Sequence, residues 1–110
     1  MDKLRYSINT FISSFIYSEN SPTGLLSKIS GKPIGSFERD SEGNRRYSRV
    51  KLGNQRYLTH RVIWVLTYGE IDENLVIDHI DGNPWNNKLE NLRLVDRKTN
   101  QRNRKKLKLS

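Results

Sequence analysis

Cysteine is absent from the 110 residues. That excludes disulfides, thiolate metal sites and zinc ribbons. A chain without disulfides suits the cytoplasm, which is the expected location. No apolar run approaches the ~18–20 residues that span a bilayer. Phe11-Ile12-Ser13-Ser14-Phe15-Ile16 is short, broken by serines and lacks a signal-peptide cleavage pattern. No membrane partner is expected, and no internal repeat is visible. Hydrophobic residues, at 34%, suffice for one modest core, so one small domain is expected, with part of its surface on a partner. Acid is scarce beside base: 12 Asp and Glu against 20 Lys and Arg, a net charge of +8 and a pI near 10.0. That balance favours a polyanion, nucleic acid above all, with simple solubility as the alternative.

Residues 2–12 place Leu4, Ile8, Phe11 and Ile12 at helical spacing and predict a short packing helix. Phe15-Ile16-Tyr17 and Gly24-Leu25-Leu26-Ser27-Lys28 flank a turn-rich segment and read as a hairpin. Residues 34–38 read as a further strand and residues 40–44 as a polar turn. Residues 45–52 alternate: Arg45, Tyr47, Arg49 and Lys51 on one face, Arg46, Ser48, Val50 and Leu52 on the other. Gly53-Asn54 reads as a two-residue turn with glycine first, and residues 55–59 return as the partner strand. The first face fits a ribbon on DNA, with its cations on phosphates and Tyr47 on sugar or base; a merely solvated face is the alternative. Thr59 can cap a helix over residues 60–68 that Gly69 ends. Val62-Ile63-Trp64-Val65-Leu66 make that helix apolar nearly all round, hence buried. His60 has no second ligand at a metal spacing and reads as structural or as a phosphate contact.

Leu75-Val76-Ile77 then reads as a strand that stops on Asp78-His79. Asp81-Gly82 and Asn83-Pro84 force a turn. Residues 92–95 read as a second strand, Asp96 as an N-cap and residues 97–104 as a basic helix. Asp81 reads as a turn residue, Asn83, Asn86 and Asn87 as loop formers that cap backbone, and Trp85 as a lid on the loop.

Asp78-His79, Asp81-Gly82-Asn83, Asn86-Asn87, Glu90-Asn91-Leu92-Arg93 and Asn100, in this order, resemble the HNH endonucleases, most of all the small phage and intron-type members. The resemblance is dense over residues 57–103. It is looser upstream, where Gly24-Leu25-Leu26 and Tyr57-Leu58-Thr59-His60-Arg61 are similar to segments preceding the motif in phage members. It implies an α+β fold: a ββα-metal (His-Me finger) motif in the C-terminal half, preceded by a small hairpin-rich region and a buried helix. It implies a single domain over residues 1–110: a DNA-contacting hairpin region at 1–56, the HNH core at 57–103 and a basic tail at 104–110. His79 takes the place of the first His. Asn91 takes that of the central Asn, which braces the loop and keeps the His oriented. Asn100 stands at the last position, often His in the family, and makes this an H-N-N variant.

Phosphodiester hydrolysis needs a water deprotonated and charge stabilised on phosphorus and on the leaving 3′ oxygen. His79, with an ordinary pKa of about 6.5, suits the general base. Asp78 and Asn100 are oxygen ligands for one divalent metal, expected to be Mg²⁺ with Mn²⁺ as a substitute. Neighbours on a regular strand face opposite ways, so Asp78 and His79 can share a site only at a strand end. Arg97, one helical turn before Asn100, is the expected phosphate clamp and Arg93 the second candidate. Arg102, Arg104 and Lys105 are expected to track the DNA backbone. The expected function is cleavage of double-stranded DNA, by nicking or by cutting both strands, as a monomer or homodimer. A DNA-binding module of HNH fold without catalysis, and a structure-selective or RNA-directed nuclease, are the alternatives.

Overall fold

The computed structural model describes residues 8–96. The start of the first expected helix, the basic helix over residues 97–104 and the tail lie outside the described residues. Helix α1 (Ile8–Ser14) buries Phe11 and leads directly into strand β1 (Phe15–Tyr17). β1 pairs antiparallel with β2 (Leu25–Ser27), Phe15 opposite Ser27 and Tyr17 opposite Leu25, as the flanked turn residues imply. The turn enters β2 through Gly24, at φ +97°, where a Cβ would lie 2.7 Å from Ile63 Cδ1 and 3.4 Å from Asn87 Cβ. Only glycine takes that conformation and that close approach together.

A second sheet follows, in the order β3 (Ser36–Arg39), β4 (Arg45–Leu52), β5 (Gln55–Leu58). β3 starts two residues later than expected, because the Ile34 amide donates to the Leu25 carbonyl and Gly35 turns the chain at φ +109°. The β4–β5 turn is as read: Leu52 pairs with Gln55, and Gly53 alone takes a positive φ, +64°. The alternation in β4 also holds, since Ser48 and Val50 are buried while Tyr47 and Arg49 are half-buried on the other face.

Helix α2 (Thr59–Tyr68) buries Val62, Ile63 and Val65 against Phe11, Phe15, Leu25, Val50, Ile77 and Leu92. Truncating the fully buried Ile63 to Ala would cost about 2–5 kcal/mol. Thr59 does not cap this helix. It lies inside the first turn, and its hydroxyl pairs with that of Ser48 at 2.8 Å in the core, a better outcome for two buried hydroxyls than exposure of either. Gly69 ends α2 at φ +92°, its N–H on the Val65 carbonyl.

β6 (Leu75–His79) and β7 (Leu92–Asp96) form the third ladder. Asp78 faces Arg93 and His79 faces Leu92. The strand therefore does not stop before Asp78-His79; it carries both as its last two residues. A 3₁₀ turn at Leu89–Asn91, not evident from the sequence, leads into β7. The whole is a small α+β fold of short helices and two- and three-stranded sheets.

Candidate active site

His79 closes β6 and is 7% exposed. Three parts of the fold enclose it. His60, in the first turn of α2, meets it edge to face at 4.8 Å between ring centroids. Tyr47 of β4 stacks near it at 6.2 Å. Asn87 of the loop places Oδ1 2.8 Å from His79 Nε2. Burial pushes the His79 pKa down, opposed by the Asn87 hydrogen bond and by the Asp81 and Asp78 carboxylates. His60 is pushed down to about 3 by burial, then by His79 and Arg61, so it is neutral throughout the working range. Its Nδ1 is buried without a partner among the described residues.

The loop between β6 and β7 is held by its own amides and one carboxylate. Asn91, 7% exposed, accepts from the Asp81 amide at 3.0 Å. Its Nδ2 donates to Asp81 Oδ1 and to the Asn86 carbonyl, both at 2.9 Å. Asp81 accepts also from the Asn83 amide at 2.8 Å and from Asn86 Nδ2 at 2.9 Å. Burial raises the Asp81 pKa, but the bonds from Asn86, Asn83 and Asn91 outweigh it, and the net shift is downward. Both Asp81 oxygens thus serve the loop.

Asp78 and His79 sit at one strand end but meet different partners. The Asp78 Oδ2 accepts from Arg93 Nε at 3.0 Å and lies 2.9 Å from Arg93 Nη2. Arg93, the second candidate for a phosphate clamp, is therefore seated on the candidate metal ligand directly across the ladder. No cluster of three His, Cys, Asp or Glu able to hold a metal occurs among the described residues. Asp78 is the one expected metal ligand within the described residues, a single hard oxygen donor. It fits a cation that keeps most of its shell as water and phosphate oxygens. Asn100, the other expected ligand, lies outside the described residues, as do Arg97, Arg102, Arg104 and Lys105.

The ribbon cations fall into two groups. Arg45 stacks on Trp85 at 4.7 Å and donates to Asn83 Oδ1 at 3.1 Å. Arg39 stacks on the same ring at 4.7 Å, and Phe37 packs against it at 4.8 Å. Trp85 therefore joins the loop to the β3–β4 sheet instead of covering the loop alone. Arg49 and Arg56 both bind Glu38, at 3.1 and 2.9 Å. Beside them Lys51 and Asn54 help line a cavity of about 560 Å³. The sequence reading missed the contact of Asn87 with His79. The one available signal was the Asn86-Asn87 pair, two amides in a loop that one could have served.

Residues 57–102 match the HNH endonuclease family model. The chain is 39% identical over 54 residues to the "SPbeta prophage-derived putative HNH homing endonuclease YosQ" of Bacillus subtilis (strain 168), a match covering 49% of this chain and 31% of that protein. It is 48% identical over 46 residues to Protein 3.8 of Escherichia phage T7, covering 42% and 38%. Among solved structures it is similar to the HNH homing endonuclease I-HmuI, whose structure concerns DNA binding and cleavage: TM-score 0.64, 29% identity, 92% of this chain and 57% of that one. The aligned part is about a third of the length of these two curated relatives. The match begins before the buried helix and runs through His79, the braced loop and Asn91, so the similarity to the HNH endonucleases takes in the candidate site as well as the fold around it.

Proposed function

We propose that this chain is a metal-dependent endonuclease that hydrolyses phosphodiester bonds of double-stranded DNA. The observation that carries the reading is His79: a near-buried imidazole at the end of β6, its pKa held down and its Nε2 on Asn87. Among the described residues nothing hydrogen-bonds its other nitrogen. His79 takes the proton of the attacking water there. Once charged, the imidazolium is favoured by the Asn87 oxygen and the nearby Asp81 and Asp78 carboxylates. Asp78 with Asn100 would hold one Mg²⁺, with Mn²⁺ as a substitute. When bound, the metal acts as a Lewis acid toward the phosphate and the leaving oxygen. Asn91 keeps the loop, and with it His79, in place. Arg97 clamps the phosphate.

In this reading the HNH core spans residues 57–103 as a ββα-metal motif. The hairpin region before it and the tail at 104–110 add cations for DNA: Arg45, Arg49, Lys51, Arg102, Arg104 and Lys105, with Tyr47 and Arg93 at the border of the site. No helix of the described residues is long and apolar enough to cross a membrane, and work on DNA in the cytoplasm follows from the reading. One site per monomer cuts one strand per binding event, so a monomer would nick and a symmetric dimer would cut both strands. Incubation with supercoiled plasmid tests the function. Relaxed or linear product that needs Mg²⁺ or Mn²⁺ supports it. Intact plasmid despite tight DNA binding would leave a binding module.

A further inference from the structure

The sequence reads Asn87 as an ordinary loop former, yet it is 3% exposed and bonds the imidazole itself. Its amide has one orientation available. Nδ2 donates to the Thr23 carbonyl at 3.0 Å. A flip would set the amide oxygen against that carbonyl oxygen, two acceptors face to face in a buried site, which is the costly arrangement. The amide oxygen therefore faces His79, and a neutral His79 must carry its proton on Nε2 to meet it. The lone pair is left on Nδ1.

The Thr23 carbonyl is itself fixed. Thr23 Oγ1 donates to the Ile34 carbonyl at 2.5 Å. The next residue, Gly24, lets the turn lie against Asn87 and Ile63 where a side chain would collide. A hydrogen-bonded relay thus runs from the turn before β2, through Asn87, to His79, joining residues 64 positions apart.

We propose that Asn87 is a positioning residue that holds His79 as the Nε2–H tautomer, so that Nδ1 is the atom that takes the proton from water. The Thr23-Gly24 turn orients Asn87 and is therefore part of the catalytic machinery as well as of the hairpin region. The rate effect rests on His79 being the base; the tautomer does not.

The chain has only two histidines, so ¹⁵N-imidazole spectra of the whole protein at pH 8 are simple, with His79→Ala supplying the assignment. The expected result is His79 almost wholly as Nε2–H. In Asn87→Leu both tautomers appear, and kcat for plasmid nicking falls roughly 10–100-fold with KM unchanged, the usual cost of losing a group that orients a reactive imidazole. Asn87→Asp keeps an acceptor toward Nε2 and retains the Nε2–H signature, at a cost in stability because its second oxygen meets the Thr23 carbonyl. His79 found as Nδ1–H in the wild type overturns the proposal without any variant. So does an Asn87→Leu protein whose tautomer and kcat both stay at wild-type values. Failure of the base reading is recognised separately, by full nicking activity in His79→Ala.

Discussion

Removing the amide of Asn91 should loosen the loop that keeps His79 in place. Asn91→Ala deletes three hydrogen bonds of 2.9–3.0 Å at a site only 7% exposed. Each contributes about 0.5–1.5 kcal/mol net, and a bond to a carboxylate such as that of Asp81 lies at the upper end or above. Asp81 is exposed and rehydrates once freed, which offsets part of the loss. The expected cost is about 2–3 kcal/mol, which for a domain of this size lowers Tm by roughly 10–20 °C. Asn91→Asp should cost at least as much. It keeps the acceptor for the Asp81 amide but sets a second carboxylate against Asp81 Oδ1. Urea unfolding gives the magnitude. Hydrogen exchange at the Asp81 amide locates it, because that proton loses its acceptor while the core amides of α2 do not. A change below about 0.5 kcal/mol, with the Asp81 amide still protected, would refute the brace.

Three further outcomes follow from other parts of the structure. His60 has a folded pKa of about 3 against an ordinary 6.5, so its contribution to stability is full above 6.5 and is lost as pH falls toward 3, on the order of 5 kcal/mol in all; His60→Phe should flatten the decline in urea-unfolding free energy across that range, and an unchanged slope would contradict the burial. Glu38→Gln releases Arg49 and Arg56, so DNA binding should tighten at low salt and the log–log salt slope should steepen by about one to two units. An unchanged slope puts that face away from the DNA. Asn100→Ala should raise the Mg²⁺ concentration for half-maximal cleavage, and Asn100→His should shift preference toward softer transition metals; identical metal titrations for wild type and Asn100→Ala would mean that Asn100 is no ligand.

Local pattern made much of this fold legible. Alternation in residues 45–52, a glycine-first turn and an apolar run from Val62 to Leu66 each act over a few residues, and β4, the turn and α2 follow them. The third ladder was also legible, though the strand runs on through Asp78-His79 because Arg93 and Leu92 supply partners across it. What failed was whatever depended on distant chain. Thr59 looked like a cap because hydroxyls cap helices; its partner is Ser48, on strand β4. The contacts of Arg45 with Trp85 and Asn83, 38 or more positions on, were likewise not legible from its own strand. The same holds for the site. Asn91 bonds within its own loop, to partners at most 10 positions away. The role of Asn87 needs Thr23, and no spacing rule links positions 64 residues apart.

Whether His79 is the base is decided by one rate comparison. Wild type and His79→Ala would be compared on supercoiled plasmid with saturating Mg²⁺, with DNA binding and thermal unfolding measured on the same preparations. With His79 as the base, nicking by the variant is slowed by on the order of 10²–10⁴, with DNA affinity kept and the protein folded. A folded His79→Ala protein that nicks at close to the wild-type rate would contradict it.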